Sequence, residues 1–252
     1  MQAPEGGASI IILINRGTIM KQKLLILFLA LSLSGCITVT PNFAVKQQFW
    51  SDKSKKIGVV IGDMPQPKAH KGGNQGLLDI AINDANASDL DAHLQSLDVS
   101  KISTVAVKIT KYLKSKGLSV KHIKNNLDLK SLKPFEAEND DAKKIYYPSE
   151  DYRSLKAQYG VDKLIVINIV RVGTIRDYYG FVPLGEPSGL SHLGGYAVNL
   201  SNNQLEWKQT VIHQTPHNST DWDTPPQFDS LTKAMYTAFN QSKSMLFNHF
   251  AQ

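Results

Sequence analysis

The sequence predicts an α/β domain built on a mixed β-sheet with a C-terminal hairpin, covered by helices that include a long C-terminal one. Three observations predict it. Short β-rich runs alternate with helical periodicity through the middle of the chain, as in Lys56–Gly62, Ile102–Leu113 and Leu164–Val172. Two strand-like runs, Gly195–Leu200 and Leu205–Ile212, flank the turn Ser201-Asn202-Asn203-Gln204. Leu231, Met235, Ala238, Phe239, Ser242, Met245 and Leu246 then recur at helical spacing to the end of the chain.

The elements follow in order. Residues Ile37–Lys56 read as a tether, with Pro41 and few periodic positions, so the domain is expected to span 57–252. Lys56–Gly62 is the first strand. Asp63–Gly76, with two prolines and three glycines, reads as a loop. Leu90, Leu94 and Leu97 predict a helix after the polar stretch Asn83–Asp89. A second helix carries Ile102, Val105, Ala106, Ile109 and Leu113, with Gly117 where a C-terminal cap belongs. Leu118–Ile123 alternates as a strand should, and Lys133–Pro148 is a polar connection. Tyr152, Leu155 and Tyr159 form one face of a short helix ended by Gly160. Leu164–Val172 is apolar in both alternating sets, which predicts a central strand covered on both faces. The polar and glycine-bearing stretch Arg176–Leu190 leads into the hairpin, where Leu205, Trp207, Gln209 and Val211 share a face by simple alternation. Trp207 is the expected core anchor.

The N-terminus reads differently. Lys21 and Lys23 precede the apolar run Leu24–Leu33, and Ser34, Gly35 and Cys36 follow it: a basic region, a short apolar core and a small-residue cleavage site. The run is too short to cross a hydrocarbon core, which needs about 20 apolar residues. Residues 1–35 are therefore expected to be a signal peptide, with Met20 as the true start and 1–19 an over-extended beginning. The single cysteine of the chain, Cys36, excludes an intramolecular disulfide, a CxxC site and a cysteine-rich zinc site. Removing Arg16, Lys21, Lys23 and Glu5 from 28 basic and 22 acidic side chains leaves a mild, dispersed positive excess. That gives no nucleic-acid footprint, which needs a concentrated basic face.

Leu33-Ser34-Gly35-Cys36 resembles the lipobox of bacterial lipoproteins. The resemblance implies lipid on the Cys36 thiol, cleavage before it, and acylation (palmitate included) of the new amine. Two or three acyl chains anchor stably where one is marginal. Ile37, rather than Asp, after the cysteine implies sorting to the outer membrane, facing the periplasm. The segment Tyr159–Val166 and the later hairpin ending in Leu205-Glu206-Trp207 resemble α/β envelope lipoproteins of the curli-secretion type and the N-terminal domain of the Tol translocation protein TolB. That resemblance implies a similar element order over Ile57–Phe250 and carries no catalytic residue.

Motifs for chemistry are weak. No GxxxxGK[ST], HExxH or GxGxxG pattern occurs. Gly185-Glu186-Pro187-Ser188-Gly189 lacks the central Ser of a nucleophile elbow. Ser188, Ser191 and His192 are close only in sequence. Asp84, Asn86, Ser88 and Asp91 imitate a calcium loop, but Asp89 replaces the turn glycine and Gln95 the bidentate Glu. His213 and His217, near Asp221 and Asp223, have a helical metal-ligand spacing that Pro216 breaks. The expected function is non-enzymatic: a lipid-anchored, periplasm-facing binding or assembly module with an envelope protein partner and neither cofactor nor metal. The alternatives are a lipid-anchored hydrolase using the Ser188–His192 or His213–Asp223 loop, and an accessory subunit of an envelope transport or secretion complex. An exposed apolar patch or open sheet edge is expected of a binding module; Ser or His converging with a carboxylate is expected of an enzyme.

Overall fold

A computed structural model describes residues 40–136, 146–225 and 227–252. Cys36, the lipobox and the expected signal peptide lie outside them, as does most of the Lys133–Pro148 connection. Among the described residues no helix is long and apolar enough to cross a membrane.

The strands are β1 (Lys56–Ile61), β2 (Lys68–Asn74), β3 (Ser119–His122), β4 (Lys163–Tyr179), β5 (Val182–Asn199) and β6 (Gln204–Pro216). They form one mixed sheet in the order β3-β1-β4-β5-β6, with β2 on β4 beyond the end of β1. β1 runs parallel to β3 and β4, whereas β4, β5 and β6 are antiparallel. The helices are α1 (Gln47–Ser51), α2 (Leu77–Asn86), α3 (Ser88–Gln95), α4 (Ser103–Ser115), α5 (Leu155–Tyr159) and α6 (Asp229–Ala251). This is the mixed α/β sheet and long C-terminal helix that periodicity predicts. Gly117 and Gly160 end α4 and its short successor with positive φ, as a left-handed cap requires.

Two apolar layers flank the sheet. On one face α3, α4 and α6 bury Ile57, Val59, Ile165, Ile167, Trp207, Phe239 and Phe250 in a common core. On the other, Val60, Leu164, Val166, Val198 and Leu205 pack with Tyr152, Leu155 and Val161. There the Tyr152 and Tyr196 hydroxyls lie 2.6 Å apart. Burial disfavours either phenolate and raises the Tyr196 hydroxyl to about 12.

Four local expectations need correction. Asp63–Gly76 is not all loop, because β2 pairs with Gly173–Tyr179 of β4. Glycines made the segment read as irregular, yet glycine admits the pairing: a Cβ at Gly173, where φ is +132°, would strike the Lys68 backbone. The stretch Arg176–Leu190 is likewise strand, continuing β4 and β5 on either side of a turn at Gly180. Leu205 and Trp207 do not share a face. Ala197 pairs with Trp207 and Val198 with Leu205, so Glu206 is an inserted bulge residue and the alternation flips. Met245, expected in the core stripe of α6, is 38% exposed.

The compact unit begins at Pro41, earlier than the tether reading places it. Phe49 of α1 is fully buried, and Phe43 exchanges backbone hydrogen bonds with Lys208 of β6. A buried ion pair beneath this segment joins Lys163 Nζ to Glu206 Oε2 at 2.8 Å, with Lys163 also over the Phe49 ring. The bulge that misplaces Leu205 thus supplies an inward carboxylate for a lysine on the central strand.

Candidate functional site: an apolar surface over a lined cavity

Strand geometry separates the residues considered for hydrolysis. Successive side chains on β5 point to opposite faces. Ser191 is fully buried, and its carbonyl accepts from Ser242 Oγ of α6, while His192 lies on the other face opposite Ile212. Ser188 is four residues from His192 along extended chain, about 13 Å away. Glycine in this stretch has a packing role: a Cβ at Gly189 would meet the α6 backbone at Ala234. Burial, and then the charge of Arg171, lowers the His192 imidazole below the ordinary histidine range.

The other constellations are also dispersed. His213 lies within β6, whereas His217 follows its end and places Nε2 3.2 Å from Glu186 Oε2. Asp221 turns back locally, its N–H donating to Ser219 Oγ. Asp84 and Asp91 are helical and hold β2: Asp84 pairs with Lys71 at 2.5 Å, and Asp91 accepts the Ala69 N–H. Among the described residues no three His, Cys, Asp or Glu side chains are grouped to hold a metal ion.

A different region stands out, where β2, α2 and the tip of the β4–β5 hairpin meet. The Gly76 N–H donates to Asp79 at 2.9 Å and so closes the first turn of α2. The next residues, Leu77 and Leu78, face outward at 90% and 73% exposure. At the hairpin tip Tyr179, Phe181, Val182 and Leu184 are exposed as well. The hairpin tip is fastened to α2 and to the end of β2. Gly180 donates its N–H to Asn74 O at 2.9 Å and accepts from Asn83 Nδ2 at 3.1 Å. Single exposed leucines are ordinary; six large apolar side chains on a helix start and an adjoining turn are not.

Beside Phe181 lies a cavity of about 300 Å³ bounded by β2, the α2–α3 junction, the hairpin and the segment before α6. Tyr178, Phe181, Trp222 and Phe228 give it an aromatic lining. Arg176 spans the wall, its Nε–H donating to Gly185 O at 2.7 Å and its guanidinium 5.1 Å from the Trp222 ring centre. His70 donates from Nε2 to Val172 O at 3.2 Å, since a carbonyl can only accept, and burial lowers its imidazole below the ordinary range. Asn83 is 1% exposed and both of its amide hydrogens are engaged, by Gln75 Oε1 at 2.8 Å and by Gly180 O. Its Oδ1 has no protein donor. Sequence reading missed this site because β2 and the hairpin arm both read as irregular chain. The one available signal was Leu77-Leu78 directly after Gly76, continued at helical spacing by Ile80 and Ile82, which are exposed as well.

No family model and no curated protein matches the chain. Among solved structures it is similar to a DUF330-family protein from Xanthomonas campestris, at 11% identity over 78% of this chain and 81% of that one, TM-score 0.35. It is similar to lipoprotein GNA1162 from Neisseria meningitidis at 13% identity over 75% of this chain and 99% of that one, TM-score 0.24. It is also similar to a homologue of neuraminyllactose-binding haemagglutinin from Helicobacter pylori, at 11% identity over 84% and 90%, TM-score 0.32. Likenesses this loose carry no role over to this chain.

Proposed function

We propose that the protein is a non-enzymatic binding or assembly module of the bacterial cell envelope, anchored in the outer membrane by lipid on Cys36 and facing the periplasm. The anchor rests on the lipobox Leu33–Cys36 and on Ile37 after it. The binding role rests on one observation: the solvent-facing apolar surface of Leu77, Leu78, Tyr179, Phe181, Val182 and Leu184. Exposed apolar area lowers free energy when a partner covers it, at about 25 cal/mol per Å² before the costs of association. An envelope protein is the partner proposed. An accessory role in a transport or secretion complex differs from this reading only in who that partner is.

Two measurements test the proposal. Intact-mass analysis of membrane-extracted protein is expected to find a chain beginning at Cys36 with added acyl mass; an unlipidated chain with another start contradicts the anchor. A photo-crosslinking residue placed at Leu78 or Phe181 in cells is expected to capture an envelope protein that the same residue at Lys114, on exposed α4 surface, does not. Equal capture from all three positions contradicts the surface.

A further inference from the structure

Building on the lipid anchor proposed above, we infer that the face formed by α4 and α6 lies on the anionic phospholipid surface of the membrane that holds Cys36. Between Asp98 and Asp128 the chain contains no Asp or Glu, and α6 contains none after Asp229. The lysines of these two stretches are far apart in sequence, and the fold sets the two helices side by side. Lys108, Lys111 and Lys243 then line a shallow groove of about 430 Å³ with no carboxylate in its walls. Lys101 adds a fourth charge at its end, its carbonyl accepting from Lys243 Nζ at 3.4 Å. Among the described residues, none of these four ammonium groups is within salt-bridge distance of a carboxylate. Lys108 and Lys243 rest instead over the Phe247 and Phe239 rings, 4.4 and 5.0 Å from their centres. Burial, and then the charge of Lys101, lowers the Lys243 ammonium below the ordinary lysine range. Anions over the groove relieve that repulsion.

Position and charge together choose the occupant. Phe43 exchanges backbone hydrogen bonds with the edge strand β6, on which α6 packs. Trp50, shortly after it, meets Tyr112 of α4 and Phe250 of α6. The chain therefore enters the domain beside these two helices. From Pro41 back to Cys36 is five peptide steps, a reach of about 17 Å when extended. A helix is about 10–12 Å thick, so a lipidated Cys36 reaches the bilayer while the α4–α6 face lies on it. Charge separates this face from the others. The far side of the sheet, where Tyr152 and Leu155 pack, carries Glu136, Glu150 and Asp151 among its lysines. Asp89 and Asp91 on α3 confine the basic area to the other two helices of the layer. Val107 and Met245, each 38% exposed on α4 and α6, add apolar contact of headgroup depth. Phosphates at a bilayer surface supply charge without a fixed shape, which suits a shallow groove of flexible lysine heads.

The test uses the full chain, extracted from membranes and reconstituted in vesicles whose headgroups carry a fluorescence acceptor. A donor dye is placed on Asn240→Cys, in the groove, or on Gln158→Cys, exposed on α5 across the sheet. Acylated Cys36 does not take the dye. A Cys36 that does take it contradicts the anchor, and the same two positions on a Cys36→Ser background then read the face by itself. With about 30% phosphatidylglycerol in phosphatidylcholine, energy transfer from Asn240→Cys is expected to exceed that from Gln158→Cys severalfold. The excess should vanish in pure phosphatidylcholine, and in about 1 M salt, where the screening length falls to about 3 Å. Each lysine near an anionic leaflet is worth about fivefold in binding, so Lys108→Gln, Lys111→Gln and Lys243→Gln together should also remove it. Should that triple variant not fold by circular dichroism, neutral vesicles and salt decide on the wild-type surface. Equal transfer from the two positions with phosphatidylglycerol present would overturn the inference. So would an excess that persists in pure phosphatidylcholine or in the folded triple variant, or capture of a protein in cells by a photo-crosslinking residue at Lys111.

Discussion

The two ends of β4 have opposite fates. Lys163–Ile167 runs between β1 and β5, and its side chains alternate into two separate apolar layers, all of them buried. Past a register shift at Val170, Gly173–Tyr179 runs between β2 and β5 and ends in a turn with exposed aromatic and aliphatic side chains. The same strand is therefore core at its start and solvent-exposed apolar surface at its end. The difference shows that apolar character alone assigns no role here. What decides is whether helices cover the residue: α4 and α6 pack on the sheet at the start of the strand, α3 packs on β2 beside its far end, and the hairpin tip beyond meets α2 at Asn83, with the leucines of α2 turned outward.

That contrast can be broken hardest at the buried end. Glu206→Ala leaves Lys163 buried without its carboxylate and should cost about 3–5 kcal/mol. Trp207→Ala empties the site against Phe250 and should cost about 3–5 kcal/mol by the same denaturant titration. A loss below about 1 kcal/mol for both would mean that the sheet is not held from this end. Gly189→Val, which drives a branched side chain into the α6 backbone, should cost about 1–3 kcal/mol.

A smaller effect sharpens the boundary between the two ends. The His192 imidazole is lowered by burial and by Arg171, so the folded state favours the neutral ring. Its contribution to stability is fully present above the unfolded value of about 6.5 and is lost as pH falls toward the folded one. Urea midpoints measured from about pH 7.5 down to 5.5 should decline, and His192→Leu should flatten that decline. An unchanged slope in the variant would show that other groups carry it.

The buried end was the legible one. In Ile102–Leu113 and in α6 tertiary burial imposes period 3.6, and in Leu164–Val172, covered on both faces, it imposes a continuous apolar run; both can be read from a single chain. The exposed end imposes no period. Gly73 and Gly173 serve backbone approach between β2 and β4, Gly72 leaves room for the Asp177 side chain, and glycines look alike in strand and loop. Leu77 and Leu78 face solvent, so no packing within the fold marks their positions. The Glu206 bulge escaped notice because one inserted residue flips the faces of Leu205 and Trp207 without altering composition. An exposed apolar patch was the feature expected to distinguish a binding module, and its place was not legible in the sequence. Ser188, Ser191, His192, His213 and His217 drew attention by proximity in sequence, which an extended strand turns into distance.

The smallest expected change in stability belongs to the surface, and it carries the central claim. The double variant Leu78→Ser, Phe181→Ser should be measured twice: by denaturant unfolding of the purified protein, and by chemical crosslinking to its envelope partner in cells. Because both side chains already face solvent, unfolding free energy should stay within about 0.5 kcal/mol of the wild type, while the partner crosslink disappears. A variant that loses several kcal/mol would show these residues to be core. One that keeps its crosslink and its stability would show that this end of the molecule binds nothing.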